Sequence, residues 1–394
     1  MSSATDVEHF DPFSEEVVAD PYPWYARLHA GRRAAHIPKW NIWVLSRHAD
    51  VTAALRDHRL LSSADGVTFW RTALPMMLTT DPPDHERLRR IVGREFAPRD
   101  IERFRPAVER FVDEGMASML ADETADIVHH IAFPVPIRVM ASILGVPESD
   151  IPYLRALSAD LVEGFSLQPS SETTMRIPEA ITGIHGYFSE MIAERRTNPA
   201  EDLVTKLMTP ASDGVLTEPE LLWFCLLLLV AGIETTTNLI GNMTIAFIEN
   251  AGQWRLLRDS RELVASAVNE VLRYDAPIQG FYRAVTDDYR VEDDVIPPGA
   301  RVLLAFGAAN RDPVRYAEPD VLRVDRNPTD HVAFGAGIHR CLGAGLAELE
   351  GRIVLERLLD AAETLEPAGE IVRTSNPTLR GAKSLPLQTQ GWRS

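Results

Sequence analysis

Cysteine is nearly absent: the 394 residues contain two, Cys225 and Cys341. Two thiols exclude a disulfide framework and leave no Cys/His cluster of the kind that holds tetrahedral zinc or an iron–sulfur centre. Blocks of basic residues are missing as well. Lys and Arg number 40 against 57 Asp and Glu, a net charge of −17, which argues against a nucleic-acid partner. The opening stretch "MSSATDVEHFDPFSEEVVADPYPWY" places no basic segment ahead of an apolar one, so no secretory signal is visible. The longest apolar run, Leu221 to Ile233, stops at Glu234, short of the ~20 residues a membrane span needs. Internal repeats, low-complexity tracts and Gly/Ser linkers are also lacking. These absences predict a cytoplasmic chain with no membrane contact, folded as a single domain over residues 1–394, with residues 1–9 disordered.

What is present is a 45% hydrophobic composition, enough for a large core. The first forty residues are rich in proline and aromatics, and "NIWVLS" (Asn41–Ser46) then reads as a short strand. From about residue 48 to 275 the pattern is mostly helical, with breaks at "TTDPPD", "GVPESD", "QPSSE" and "TPASDG". Residues 61–80 are the exception; they lack periodicity and read as a long loop. After residue 285, "YRVEDDV" gives two short strands around an acidic turn, "ARVLLAF" a third, and "RTSNPTLRGAKSLPLQTQ" further β segments. The fold class is mainly α, with a minor β part drawn from both ends of the sequence into one interleaved domain.

Cys225 sits in "LLWFCLLLLVAG" and reads as a small buried hydrophobe. Cys341 differs. It lies in "FGAGIHRCLG" (residues 334–343), followed by a helical stripe of Leu342, Leu346, Leu349 and Ile353. That places its sulfur at a helix N-terminus, where unpaired backbone N–H groups and the helix dipole favour a thiolate. Gly335, Gly337 and Gly343 let the chain bend sharply and approach a flat ligand closely. A packed cysteine in a tight strand-to-helix turn fits the same residues. A single protein ligand suffices when a macrocycle supplies the other donors, which points to haem.

The stretch matches the pattern Phe-x-x-Gly-x-x-x-Cys-x-Gly, and on it the chain resembles the cytochrome P450 family of soluble bacterial haem–thiolate monooxygenases. Further stretches resemble the family in order and spacing, from about residue 10 to 390: "AGIETT", "NEVLRY", "DPPDHERLRR" and "PIQGFYRA". The resemblance implies the P450 fold, with haem b (iron protoporphyrin IX) between a long central helix and the helix after the cysteine loop. It implies Cys341 as the axial iron ligand, its sulfur tuned by the backbone N–H groups near Leu342 and Gly343. Glu234 and Thr235 become the catalytic proton relay. His85, Arg89, Arg283 and His339 become partners of the haem propionates. Glu270 and Arg273 form a structural pair locked to Arg326, with Arg323 as the substitute. By itself, Glu-x-x-Arg is an ordinary helix surface pair.

The implied activity is insertion of one oxygen atom from O2 into a C–H bond. Electrons would pass from NAD(P)H through a ferredoxin reductase and a ferredoxin to a basic face around Arg340 on a monomeric enzyme. By family analogy the small-molecule substrate meets Thr68, Leu227, Val230, Ala231, Ile278 and Phe281, with the 61–80 loop and the region near Pro377 closing the pocket. "KWNIWVLSRHADV", "PIQGFYRA" and "NPTLRGAKSLP" are most similar to the subfamily acting on para-substituted benzoates, often by O-demethylation. There, loop hydroxyl and basic groups hold the carboxylate, which nominates Ser62, Ser63, Thr68 and Arg71. The loop departs from that pattern with "SADGVT" where an arginine is expected. Two other readings are a peroxide-driven peroxygenase, whose relatives usually lack a pair like Glu234–Thr235, and a non-catalytic haem-binding sensor.

Overall fold

The structure is a computed structural model that describes residues 10–163, 171–210 and 214–393. The disorder expected for residues 1–9 lies outside the described residues, as do parts of the breaks at "QPSSE" and "TPASDG". In chain order the elements that matter are β1 (Ala34–Ile37), β2 (Ile42–Leu45), α1 (His48–Arg56), β3 (Leu61–Ser62), α2 (Asp84–Gly93), α3 (Arg105–Met119), β4 (Thr124–Asp126) and α4 (Pro134–Leu144). They are followed by α5 (Glu218–Glu249), α6 (Val264–Tyr274), β5 (Phe281–Val285), β6 (Tyr289–Val291), β7 (Asp294–Ile296), β8 (Arg301–Leu304), α7 (Ala344–Ala361) and β9 (Pro386–Gln388). The architecture is mainly α with a minor β part. The chain divides into two compact units, each assembled from three separate stretches of sequence.

The first unit comprises Met1–Leu74, Asn242–Cys341 and Val372–Lys383. Its centre is a five-stranded sheet in the order β1-β2-β8-β5-β3. β2 and β8 run parallel, and the other neighbours are antiparallel. Side chains alternate across a strand, so the sheet serves two cores. One face carries Ala34, Leu45, Val285, Val302 and Leu304 against α1 residues Val51, Ala54 and Leu55. The other carries Ala35, Ile37, Val44, Tyr282 and Leu303 against Phe10, Val17, Tyr25 and Leu28. β6 and β7 form a separate hairpin around the acidic turn.

The second unit comprises Pro75–Gly241, Leu342–Ile371 and Ser384–Ser394. Here α3 packs against α4 and α7, and β9 pairs antiparallel with β4. The long helix α5 opens on a capping box: Thr217 N donates to Glu220 Oε2 (2.8 Å) and Glu220 N donates to Thr217 Oγ1 (3.5 Å). Its 32 residues span about 48 Å, and those from Asn242 on are counted with the first unit. By length and composition this helix could cross a membrane, although 61% of its most apolar stretch is buried in the protein. The run that ended at Glu234 in the sequence thus continues, because apolar residues resume beyond Thr237 without breaking the helix.

Three local features differ from the sequence expectation. β1 and β5 are strands that patterning did not signal. The 61–80 loop starts with β3, paired to β5, and holds one 3-10 turn at Met77–Thr79. Helix α7 begins at Ala344, with Gly343 at its cap, so Leu342 lies ahead of the helix rather than on its stripe.

Candidate functional site

The cysteine turn belongs to the first unit. Backbone bonds close it: Gly335 N donates to Val332 O (2.9 Å), Arg340 N to Gly337 O (3.2 Å) and Cys341 N to Phe334 O (2.8 Å). Gly335 and Gly337 have φ of +66° and +69°, values that L side chains resist. A Cβ on Gly337 would lie 2.3 Å from the Leu55 carbonyl oxygen, so the turn is seated directly on the end of α1. Arg340 and Cys341 emerge exposed from this anchored turn. Behind it, His331 is buried with its ring 5.5 Å from that of Phe334. Burial, followed by the Arg340 charge, pushes its pKa down to about 4. Asn310, fully buried, accepts from Val332 N (2.7 Å) and ties the turn to the sheet.

His339 does not stand alone. Its Nε2 lies 2.9 Å from Ser63 Oγ. Ser62 at the end of β3 and two polar side chains of the loop after it are engaged too. Ser62 Oγ accepts from Ala64 N (3.0 Å), Thr68 Oγ1 donates to Trp70 O (3.0 Å), and Arg71 donates to Asp65 Oδ2 and Gly299 O (both 2.6 Å). The loop is docked by Tyr282 N on Val67 O (2.8 Å) and by Arg301 Nη2, which donates to Gly66 O (2.7 Å) and to Thr68 O. Arg301 is buried, and its Nε and Nη1 have no hydrogen-bond partner. Burial, then the Arg71 charge, pushes its pKa down to about 10. Neither Ser63 as a partner of His339 nor Arg301 as the loop's clamp was read from the sequence, since no local pattern marks either.

Glu270 and Arg273 on α6 are wholly buried and doubly bonded, at 2.8 Å through Nε and 2.8 Å through Nη2. Arg326 Nε reaches Glu270 Oε1 at 3.1 Å. Arg323 contributes its backbone N–H to the same oxygen (2.9 Å) while its guanidinium turns to Asp325. Arg273 Nη1 donates to Asn310 O (2.9 Å) and Pro319 O (2.8 Å), and Nη2 also reaches Val321 O (3.4 Å). Such complete pairing is what allows charge in a core. Arg283 is buried in β5 with Nη1 on Tyr282 O (2.8 Å). Ile278 and Phe281 are half-buried; the first bridges to Leu379, and the second meets Phe306 edge-on at 5.8 Å. Pro377 lines a separate cleft with Phe13, Tyr25, Tyr282 and Arg380.

In the second unit, α5 carries Leu227, Ala231 and Thr235 at successive turns, hence on one face. Ala231 is exposed in mid-helix, Leu227 and Thr235 partly so, while Val230 is buried. Thr235 Oγ1 donates to Ala231 O (2.7 Å) and Thr237 Oγ1 to Ile233 O (2.9 Å). The Thr235 hydroxyl therefore keeps its lone pairs for another donor. Glu234 is half-buried, and burial raises its carboxyl pKa above the ordinary range. On α2, His85 is buried and Arg89, one turn on, half-buried. Cys225 is fully buried, and burial pushes its thiol pKa up.

Among the described residues, no three His, Cys, Asp or Glu side chains gather closely enough to cage a metal ion. Cys341 offers one exposed sulfur. That donor set suits a metal whose remaining ligands come from a planar macrocycle. A macrocycle with two carboxylates also needs hydrogen-bond donors; the first unit offers Arg283 and His339, the second His85 and Arg89. The residues present fit haem.

Comparison with known proteins gives the same picture. The sequence pattern of the family described as Cytochrome P450 matches residues 256–388. The chain is 40% identical to a beta-dihydromenaquinone-9 omega-hydroxylase of Mycobacterium tuberculosis, over 95% of this chain and 77% of that one. It is 37% identical to a vitamin D(3) 25-hydroxylase of Pseudonocardia autotrophica, over 100% and 99% of the two chains. Its fold is similar to the crystal structure of CYP109E1 from Bacillus megaterium in complex with corticosterone. That match has a TM-score of 0.87 and 31% identity, and covers 95% of this chain and 99% of that one.

Proposed function

Because the chain belongs to the cytochrome P450 family, we propose that it hydroxylates an uncharged, lipophilic small molecule, with electrons arriving from NAD(P)H through a ferredoxin reductase and a ferredoxin. The coarser part is established: the chain is a haem b-dependent monooxygenase that uses O2, a redox partner and a small-molecule substrate. When bound, haem supplies the oxygen chemistry. The rest is the work of this chain's residues. Cys341 would hold the iron, and Arg283, His339, His85 and Arg89 the carboxylates. Glu234, its proton affinity raised by burial, would hold a proton for delivery, and the Thr235 hydroxyl, whose own proton is donated to Ala231 O, would accept a hydrogen bond and so orient the group that carries it. Leu227, Val230, Ala231, Ile278 and Phe281 would present apolar surface to the substrate and exclude water. This acid–alcohol pair favours the O2-dependent route over a peroxide-driven one. The exposed Arg340 beside Cys341 suits an acidic ferredoxin, and two cysteines without a disulfide suit the reducing cytoplasm.

The observation that carries the uncharged substrate is the loop after β3. Ser62, Ser63, Thr68 and Arg71, the groups that would grip a benzoate carboxylate, all bond within the protein. Releasing them costs the bonds they already make. The relatives named for dihydromenaquinone and vitamin D(3), and the corticosterone complex, lend the lipophilic class support. The test is a spin-state titration of ferric enzyme with vitamin D3, corticosterone and 4-methoxybenzoate. We expect one or both lipophiles to displace the iron-bound water at micromolar levels and the benzoate to leave the spectrum unchanged. A response to the benzoate alone would reverse the assignment.

A further inference from the structure

The chain enters the cysteine turn with two successive backbone N–H groups held by buried side chains. Val332 N donates to Asn310 Oδ1 (2.7 Å), and Ala333 N donates to His331 Nδ1 (3.2 Å). The next residue, Phe334, offers the carbonyl that takes the Cys341 N–H (2.8 Å). His331 is 9% exposed and has no part in the proposed chemistry. A backbone N–H can only donate, so Nδ1 is the bare nitrogen of the ring and the proton lies on Nε2. That proton has its own acceptor: Nε2 lies 3.3 Å from Asn269 Oδ1 on α6. Asn269 is oriented in turn, its Nδ2 donating to Ala265 O (3.2 Å) one helical turn back. Burial, which pushes the His331 pKa down to about 4, keeps the ring neutral and Nδ1 able to accept. Nδ1 of a histidine stands as many bonds from the backbone as Oδ1 of an asparagine. The contact to the N–H two residues on is therefore an imidazole counterpart of the turn that Asn and Asp side chains make. Asn376 shows the ordinary form, its Oδ1 accepting from Thr378 N (2.9 Å).

We propose that His331 is a positioning residue for Cys341: it holds the Ala333 N–H, with Asn269 holding the ring, and so fixes the Phe334 carbonyl on which the cysteine's own N–H is anchored. The proposal rests on the reading of Cys341 as the iron ligand. The imidazole also packs against the Phe334 ring, 5.5 Å away, so the acceptor and the bulk of the side chain have to be separated.

Two variants make that separation. His331→Phe keeps a flat ring and leaves the Ala333 N–H without a partner, while His331→Asn gives up the ring and keeps an acceptor in the same place. For each holoenzyme, two quantities are measured. One is the rate at which the reduced carbonyl complex loses its thiolate-type Soret band in a fixed, sub-denaturing concentration of urea. The other is the ferric/ferrous potential. We expect H331F to lose the band roughly tenfold faster than the parent, the scale of one buried N–H left unpaired, and its potential to move. H331N should stay within about threefold of the parent in rate and keep the parent's potential. H331F equal to the parent overturns the proposal. So does H331N matching H331F, because the bulk of the ring rather than its acceptor would then hold the turn. Faster loss of the band by H331F at an unchanged potential also overturns it, since that marks a general loosening of the fold. If H331F accumulates no haem, H331N decides: a thiolate-type holoenzyme at the parent's potential supports the proposal, and failure to accumulate haem overturns it. A parent whose own reduced carbonyl complex lacks the thiolate-type band sinks the reading of Cys341, and the proposal falls with it.

Discussion

Glu350 shows what one buried side chain can decide. It sits on α7, 2% exposed, and its Oε2 has no hydrogen-bond partner. With nothing to stabilise the anion, burial pushes its pKa up from 4.5 to about 8. A carboxyl raised in this way favours the fold while protonated. Its contribution is complete below 4.5 and is lost as pH climbs through about 8, so the protein should weaken across that window by a few kcal/mol, to order of magnitude. Glu350→Gln keeps the shape and cannot ionise. Urea midpoints should coincide for parent and variant below about pH 4.5, separate as pH rises from there to about 8, and keep a constant gap beyond, the variant being the more stable. Coincident curves through pH 9 would show that Glu350 stays protonated or finds a partner. Chemistry of this kind is hidden from sequence, because a glutamate on a helix reads as solvent-facing until the packing around it is known. Cys341 is the opposite case: a contiguous pattern of glycines, His339 and a following helix carries its chemistry in plain view. Between the two lies Ser63, whose pairing with His339 spans 276 residues and leaves no trace in either neighbourhood.

Elements were legible in proportion to their length and regularity. α5 and α7 announce themselves by apolar residues recurring over many turns. β1 was missed because "AAHI" has weak strand propensity. β5 was missed because it is buried along most of its length, with Arg283 at its centre, which erases the alternation that marks a half-exposed strand. The turn between the sheet and α7 is the element on which the site depends most, and Gly337 is its tightest point. A methyl there meets two penalties: a φ of +69° and a carbonyl oxygen of α1 at 2.3 Å. Backbone strain alone costs about 1–2 kcal/mol for a non-glycine residue, and the clash adds to it unless α1 shifts. Gly337→Ala should therefore melt several degrees below the parent and retain less haem as purified. Gly343 offers the control, since an added Cβ there meets nothing within 4 Å and its φ is −89°; Gly343→Ala should melt close to the parent. Equal melting of both variants would remove the wedge against α1 as the turn's anchor.

At the scale of the whole molecule, the chain's order in space is not its order in sequence. Each compact unit is drawn from three stretches, and the second is completed by the last residues of the chain. β9 lies on β4 through Pro386–Asp126, Leu387–Ala125 and Gln388–Thr124 pairs. Side chains and backbone reinforce the pairing. Ser384 Oγ donates to Asp126 Oδ2 (2.5 Å), Leu385 N donates to Asp126 Oδ1 (3.1 Å), and Ile127 N donates to Leu385 O (3.1 Å). Leu385 and Leu387 are fully buried. Composition could suggest one interleaved fold, but it could not say that a C-terminal strand closes against residues 124–126, because that pairing bridges some 260 residues. Removing residues 384–394 exposes two leucine sites, each worth about 2 kcal/mol, and strips Asp126 of two hydrogen bonds and Ile127 of one. The sum approaches the 5–15 kcal/mol that separates folded from unfolded states in an ordinary protein. The truncated chain should consequently show no cooperative melting of the parent's amplitude in circular dichroism and should fail to accumulate haem. A truncated protein that melts within a few degrees of the parent would mean that β9 merely decorates the second unit rather than completing it.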